Sequence, residues 1–314
     1  MSSVAVTGTD VSGATAVAIG PSQLRVVFRR FWRDRVARIS LLYIAFVIVA
    51  AIGAPLVVLL NGHPPNDLSH QFDMTTEFGL PKGPNWDLRF WVGADQYGRD
   101  LLTRTVYGAR ISLLIGVAST LVALALGCAV GVVAGFLRGP VDGFLSRSVD
   151  VVLAFPILLL ALSIRAVFGA SLWIIIIVVA FATWPYISRI VRGLALVIRE
   201  QEYVMAARAL GASDVRIIWE HVLPNLIGPL IVYGTLIIPV NILLEASLSY
   251  LGLGLPPPTA TWGQMLADGQ AYYSTAPWMI AVPGVALLST TIAFNLVGDA
   301  LRDALDPRTG LATL

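Results

Sequence analysis

Five long stretches of this chain carry almost no charge, and they decide what it can fold into. Ile39 to Leu60 is 22 residues without a charged side chain, and Ile111 to Leu137 is 27. Val151 to Ser188 holds one charge in 38 residues, Arg165. Leu226 to Leu251 holds only Glu245, and Trp278 to Val297 holds none. A helix needs about 20 apolar residues to cross a bilayer. Inside lipid every backbone polar group must be satisfied within the segment, so runs of this kind form helices. Hydrophobic residues make up 57% of the chain and charged residues 13%, where soluble domains average about 25% charged. Mean hydropathy is +0.79. The expectation is an all-α polytopic membrane protein.

The 38-residue run fits either one long span, with Arg165 buried, or two short ones turning near Arg165 to Gly169. Basic residues gather on the cytoplasmic side of membrane proteins, which separates the two cases. Six spans place 15 of the 21 basic residues inside, among them Arg25 to Arg38 and Arg189 to Arg216. Lys82, Arg89, Arg99, Arg104, Arg110 and Arg165 fall outside. One long span would put Arg189, Arg192, Arg199, Arg208 and Arg216 outside, so six spans are expected, with both termini cytoplasmic.

The connections then take shape. Residues 1–20 lack the basic start and apolar run of a signal peptide, and residues 1–23 read as a disordered cytoplasmic tail. Residues 24–60 read as an amphipathic surface helix, Leu24 to Arg38, followed by the first span, which Pro55 would kink. Residues 61–110 form an extracytoplasmic connection. Near its end Asp95, Gly98, Arg99 and Asp100 suit a capped turn opening a helix at Leu101. Gly116, Gly127, Gly131 and Gly135 would let the second span pack closely on a neighbour. Arg138 to Arg147 reads as a short connection, with Arg147 and Asp150 spaced to pair on one helix face. Residues 111–314 are the core, with five spans.

Within that core, the polar stretch 199–225 interrupts the hydrophobic sequence. Glu202 to Leu210 are good helix formers, and Gly211 stands where a helix C-terminus wants positive φ. Ser213 or Asp214 can cap a second helix through Val215, Ile217, Ile218 and Val222, with Pro224 expected to end it. The stretch reads as an ordinary cytoplasmic loop or as a docking element for a soluble partner. Asn241 and Glu245 lie one turn apart in the fifth span and are candidates for a translocation path. Glu245 is equally a structural acid bonded to Ser247 or to a neighbouring helix.

Several functions are disfavoured. Net charge is only +2, which gives no reason to expect nucleic-acid binding. Cys128 is the one cysteine, so no intrachain disulfide can form. Lys82 is the only lysine and sits in a Pro/Gly-rich loop, so no phosphate-binding Gly-Lys-Ser/Thr motif exists. His63, His70 and His221 lie outside the spans, and there is no His-Glu-x-x-His. Gly169-Ala-Ser171 has no histidine to activate it. A membrane enzyme is therefore disfavoured. A stand-alone secondary transporter stays open, although one glutamate is thin support for an ion relay.

The polar stretch resembles the EAA loop of membrane subunits of bacterial ABC importers: Glu-Ala-Ala, three residues, Gly, nine residues, Ile-x-Leu-Pro. Here Met205-Ala206-Ala207, Gly211 and His221-Val222-Leu223-Pro224 keep the spacing, with Met205 replacing the acid and His221 the isoleucine. GADQYGRDLLTRTVYGARISLLIG, FPILLLAL, WPYISRIVRG, EASLSYLGLGLPPPTATWGQMLADG and GDALRDALDPR resemble the C-type subunit of the dipeptide/oligopeptide/nickel permease family. The likeness covers residues 22–309. It implies the type I importer fold in a bacterial cell membrane and a related B-type permease as partner. It also implies two cytoplasmic ATPases that bind ATP and Mg, and an extracytoplasmic binding protein; this chain would carry no cofactor. Peptides would be the cargo, with nickel chelates or another small solute as alternatives. Ala206, Ala207, Leu210, Gly211, Asp214, Ile218 and Pro224 would dock the ATPase, with Arg208 and Arg216 pairing at the rim.

Overall fold

The computed structural model describes residues 28–305; the N-terminal tail, residues 24–27 of the basic segment and the C-terminal end with Arg308 lie outside the described residues. Among the described residues there is no β-strand, only three isolated bridges in the 61–110 connection. Residues 28–33 are helical, but the basic segment is not one helix. Asp34 interrupts it by accepting from the N–H of Val36 (2.8 Å) and Ala37 (3.4 Å), which caps a new helix, α1 (Arg35–Ile52). The first span breaks at Gly53, and α2 (Ala54–Asn61) restarts with Pro55 in its first turn, close to the expected kink.

The 61–110 connection is ordered. A short helix, α3 (Gln71–Met74), packs with Phe90 and Ala94. Asp95 accepts from the N–H of Tyr97 and Arg99 and from the Arg99 guanidinium (2.7 Å), with the Arg104 guanidinium 3.2 Å away. Gly98 has φ 75°, and a Cβ there would lie 2.6 Å from Gln71 Cα, so only glycine fits. Asp100 caps the next helix through Thr103 N–H (2.8 Å) and accepts from Asn61 Nδ2 (2.9 Å). Burial pushes the Asp100 carboxyl above its ordinary pKa, against the opposing pull of the Thr103 and Asn61 hydrogen bonds. The expected capped turn at 95–100 is present, and the helix starts at Leu101.

That helix, α4 (Leu101–Leu137), is the spine of the fold: 37 residues, or about 55 Å at 1.5 Å per residue. Three of the expected glycines, Gly127, Gly131 and Gly135, face one neighbour, while Gly116 faces Ile242 of another helix. A Cβ on Gly127 would lie 2.7 Å from Ile187 Cβ, and one on Gly135 would lie 2.6 Å from the Arg192 carbonyl. The neighbour is α7 (Leu172–Arg199), and α4 with α7 form the most extensive helix pair. Ile187, Val191, Ala195 and Ile198 bury against this face. Helix α1 packs on α12 (Trp278–Leu305) through Ile44, Val47 and Ala51. The last helix therefore outruns the expected end at Val297 by two turns.

The third span departs from expectation. Arg138 to Arg147 is not a loop but the start of α5 (Gly139–Ala154), which bends by 85° into α6 (Ile157–Phe168). The break follows from Pro156, which drives Phe155 to ψ 127° and removes a donor. At 12 residues, α6 is about 18 Å long, shorter than a hydrocarbon core of about 30 Å. Among the described residues five helices are long and apolar enough to span, and counting the bent pair as one crossing gives six. The turn at Gly169 lies where expected, and Arg165 donates to the carbonyls of Gly252 and Gly254. Asp150 does not pair with Arg147; it bonds Arg189 on α7 (2.7 Å), while Asp142 holds Arg192 (2.6 Å).

After α8 (Glu202–Ala209) and α9 (Asp214–Ile217) the chain forms a π-turn, Ile218–Val222, and continues directly as α10 (Leu223–Tyr250). Pro224 therefore begins a helix instead of ending one. In the π-turn Leu223 N–H reaches back five residues to the Ile218 carbonyl. Pro224, with no N–H to offer, falls where the hydrogen-bond register changes, and the helix passes it. A last short helix, α11 (Trp262–Gln270), is capped by Thr261.

Candidate coupling loop and buried polar network

The stretch 199–225 folds as helix, turn, helix at the end of α7. Helix α8 closes in a Schellman motif: Gly211 N–H donates to the Arg208 carbonyl (3.0 Å) and Ala212 N–H to the Ala207 carbonyl (3.1 Å). Gly211 takes φ 86°, the left-handed conformation that the sequence pattern required. Ser213, not Asp214, caps α9, its Oγ accepting from Arg216 N–H (3.4 Å). Arg208 pairs with Asp214 (3.3 Å) and Arg216 with Glu220 (2.9 Å), both in solvent.

The second helix presents a different face from the one its periodicity suggested. Ile217 and Val222 are fully buried with Val204, Ile198 and Phe136 in the chain's own core, and Ile218 is half-buried. This stripe fixes the loop to the bundle. The outward apolar residues are Met205, Leu210, Val215 and Trp219, with Leu210 89% exposed and Trp219 68%. Of the candidate docking residues, Ala206, Leu210, Gly211, Asp214 and Pro224 are exposed, and Ala207 and Ile218 are half-buried. Val215, read as part of the apolar stripe, and Trp219 were not among the candidate docking residues, yet both are exposed on this face. The signal was their four-residue spacing, which places them together on the face away from Ile217. Met205 stands half-exposed where the motif has an acid, and the His221 ring lies 5.9 Å from that of Tyr203. Burial pushes the Tyr203 phenol above its ordinary pKa.

The in-span polar residues sit elsewhere. Asn241 and Glu245 are fully buried between α4 and α10. Asn241 Nδ2 donates to Thr120 Oγ1 (2.9 Å). Glu245 accepts from Ser112 Oγ (3.1 Å) and Ser249 Oγ (2.8 Å). Ser247 turns away to the Leu243 carbonyl. Ser112 also accepts from Trp262 N–H (3.2 Å), so Glu245 helps tie α4, α10 and α11 together. An apolar groove between α4 and α10, walled by Leu121, Leu124, Leu230 and Ile231, opens to the outside of the chain.

Comparison with known proteins places this architecture. Residues 127–311 match the family described as binding-protein-dependent transport system inner membrane component, and residues 22–79 match the N-terminal transmembrane domain of oligopeptide transport permease C. A putative peptide transport system permease protein of Brucella abortus is 42% identical over 92% of this chain and 94% of its own. The dipeptide transport system permease protein DppC of Alkalihalophilus pseudofirmus is 38% identical over 91% of this chain and 90% of its own. The glutathione transport system permease protein GsiD of Escherichia coli is 39% identical over 92% and 93%. Among solved structures, a chain of the inward-facing MetNI methionine ABC transporter superposes with a TM-score of 0.55 at 20% identity, covering 66% of this chain and 98% of that one. That likeness speaks to the fold, and identity with the permeases speaks to the family: the chain belongs to the binding-protein-dependent transport system inner membrane components.

Proposed function

We propose that this protein is one of two permease subunits of an ATP-driven peptide importer, and that stretch 199–225 is where a cytoplasmic ATPase grips it. The observation that carries this reading is the outward face of α8 and α9. Met205, Leu210, Val215 and Trp219 stay in solvent beside the Gly211 turn, while the loop's other apolar residues anchor it to the bundle. An apolar knob on a rigid helical turn suits a groove on a soluble partner. The turn's spacing matches the importer motif at Ala206, Ala207, Gly211 and Pro224.

The remaining partners follow from that assignment. A B-type permease covers the groove between α4 and α10, and the two chains enclose the path. An extracytoplasmic binding protein delivers substrate to the 61–110 side. Two ATPases bind ATP and Mg; this chain contributes no catalytic group. Peptides are the cargo that the names of the relatives support. Closure of the ATPases moves the loop, and the helices rock as rigid bodies.

The test is uptake of a labelled dipeptide into proteoliposomes. ATP-dependent uptake by the complete complex, lost when the binding protein is omitted, is the expected result. Uptake by this chain alone, driven by an ion gradient and abolished by ionophore, contradicts the proposal.

A further inference from the structure

We infer that Phe136 is the pin through which the loop at 199–225 moves α4. The inference rests on reading that loop as the ATPase docking element. Phe136 lies in the last turn of α4 and is 1% exposed. The Arg199 guanidinium, at the end of α7, is 5.7 Å from its ring centroid, and that of Arg208, on α8, is 5.4 Å away. Arg199 also donates a hydrogen bond to the Phe136 carbonyl. Two residues on, Arg138 pairs with Glu200 at 2.6 Å. Val204 and Ile217, from the two loop helices, belong to the same apolar cluster as Phe136.

Cations at the start of the loop and within it thus hold one aromatic ring and the backbone that carries it. Arg208 is in turn paired with Asp214 across the Gly211 turn, so both loop helices bear on this point. A buried ring with two guanidinium groups near it fixes position in a way an aliphatic side chain cannot, because its faces carry negative charge density. From Phe136 the helix α4 runs unbroken to its Asp100 cap on the opposite side of the bundle. A shift of the loop is handed to α4 at this residue and carried along the helix as a rigid body. Phe136 is a positioning residue: it touches neither substrate nor nucleotide.

The experiment uses the complete transporter with three changes in this chain. Phe136→Leu keeps an apolar side chain and removes the ring. Arg199→Gln removes one cation, and Arg199→Lys restores it. In each case the ATPase subunits that co-purify are quantified, and dipeptide imported per ATP hydrolysed is measured. Expected are normal co-purification and a drop in import per ATP of about threefold for Phe136→Leu and Arg199→Gln, the scale of cation–π contacts at partly exposed sites. Recovery is expected with Arg199→Lys. Unchanged import per ATP in both variants overturns the inference. Loss of co-purification also overturns it, since the ring would then shape the docking surface instead of transmitting from it. Where Phe136→Leu fails to fold, the Arg199 pair decides. The docking reading is tested separately by Leu210→Asp, whose normal co-purification would overturn that reading and the inference with it.

Discussion

Replacing Gly131 by alanine tests the packing of α4 against α7, and Gly193→Ala supplies its internal control. Both glycines sit within helices, Gly131 in α4 and Gly193 in α7. A Cβ on Gly131 would stand 2.6 Å from the Ser188 carbonyl oxygen and 2.7 Å from Val191 Cβ; one on Gly193 would meet nothing within 4 Å. Ordinary contact begins at 3.4 Å. Helix α7 must therefore retreat by roughly 0.8 Å, and the atoms in the way are backbone and a β-branched side chain, which cannot swing aside. Overpacking of this kind costs about 1–3 kcal/mol. Alanine is favoured over glycine in a helix by about 1 kcal/mol at either site, so that gain cancels in the comparison. Gly131→Ala should unfold about 1–3 kcal/mol more easily than Gly193→Ala in a reversible SDS titration of the purified protein. Equal stability of the two variants would refute the close approach of the helices at this stripe.

Two further substitutions separate conformational from chemical requirements. Gly211 has positive φ but open space around it, so Gly211→Asn should transport nearly normally, whereas Gly211→Val, strained by about 1–2 kcal/mol or more, should lose ATP-coupled uptake. Glu245→Gln keeps partners for Ser112 and Ser249 and should transport at the normal rate. Glu245→Leu leaves buried hydroxyls unpaired and should lower thermal stability by about 1–3 kcal/mol, measured as loss of monomeric protein on heating in detergent. A Glu245→Gln variant that folds but does not transport would contradict a structural role.

Long apolar runs and turn chemistry are legible in the sequence, because each depends on residues close together along the chain. The Asp100 cap, the Gly98 turn, the Gly169 turn and the positive φ of Gly211 all belong to this class. What is not legible depends on partners far along the chain. Asp150 sits three residues from Arg147 yet pairs with Arg189, because α5 lies along α7. The 85° bend at Pro156 reads as the middle of an apolar run, since hydropathy does not register backbone direction. Pro224 reads as a stop, and only the π-turn before it lets the helix continue. The stripe Ile217–Ile218–Val222 has helical spacing whichever way it faces; burial against Phe136 and Val204 turns it inward and leaves Leu210, Val215 and Trp219 outside. Phe136 itself has no local signature, because the two cations around it come from residues 199 and 208.

Leu210→Asp probes whether an ATPase docks on the outward face of α8 and α9. Leu210 is 89% exposed, so the change buries no charge and should leave the chain's own stability within about 0.5 kcal/mol. In the assembled transporter it would bring a carboxylate into an apolar contact, at a cost of several kcal/mol unless the contact opens. The measurement is recovery of the ATPase subunits with the affinity-purified permease pair, alongside ATP-dependent dipeptide uptake. Both should be lost while the permease pair itself is recovered in normal amount. Recovery of the ATPase and uptake at the level of the unaltered transporter would contradict docking on this face.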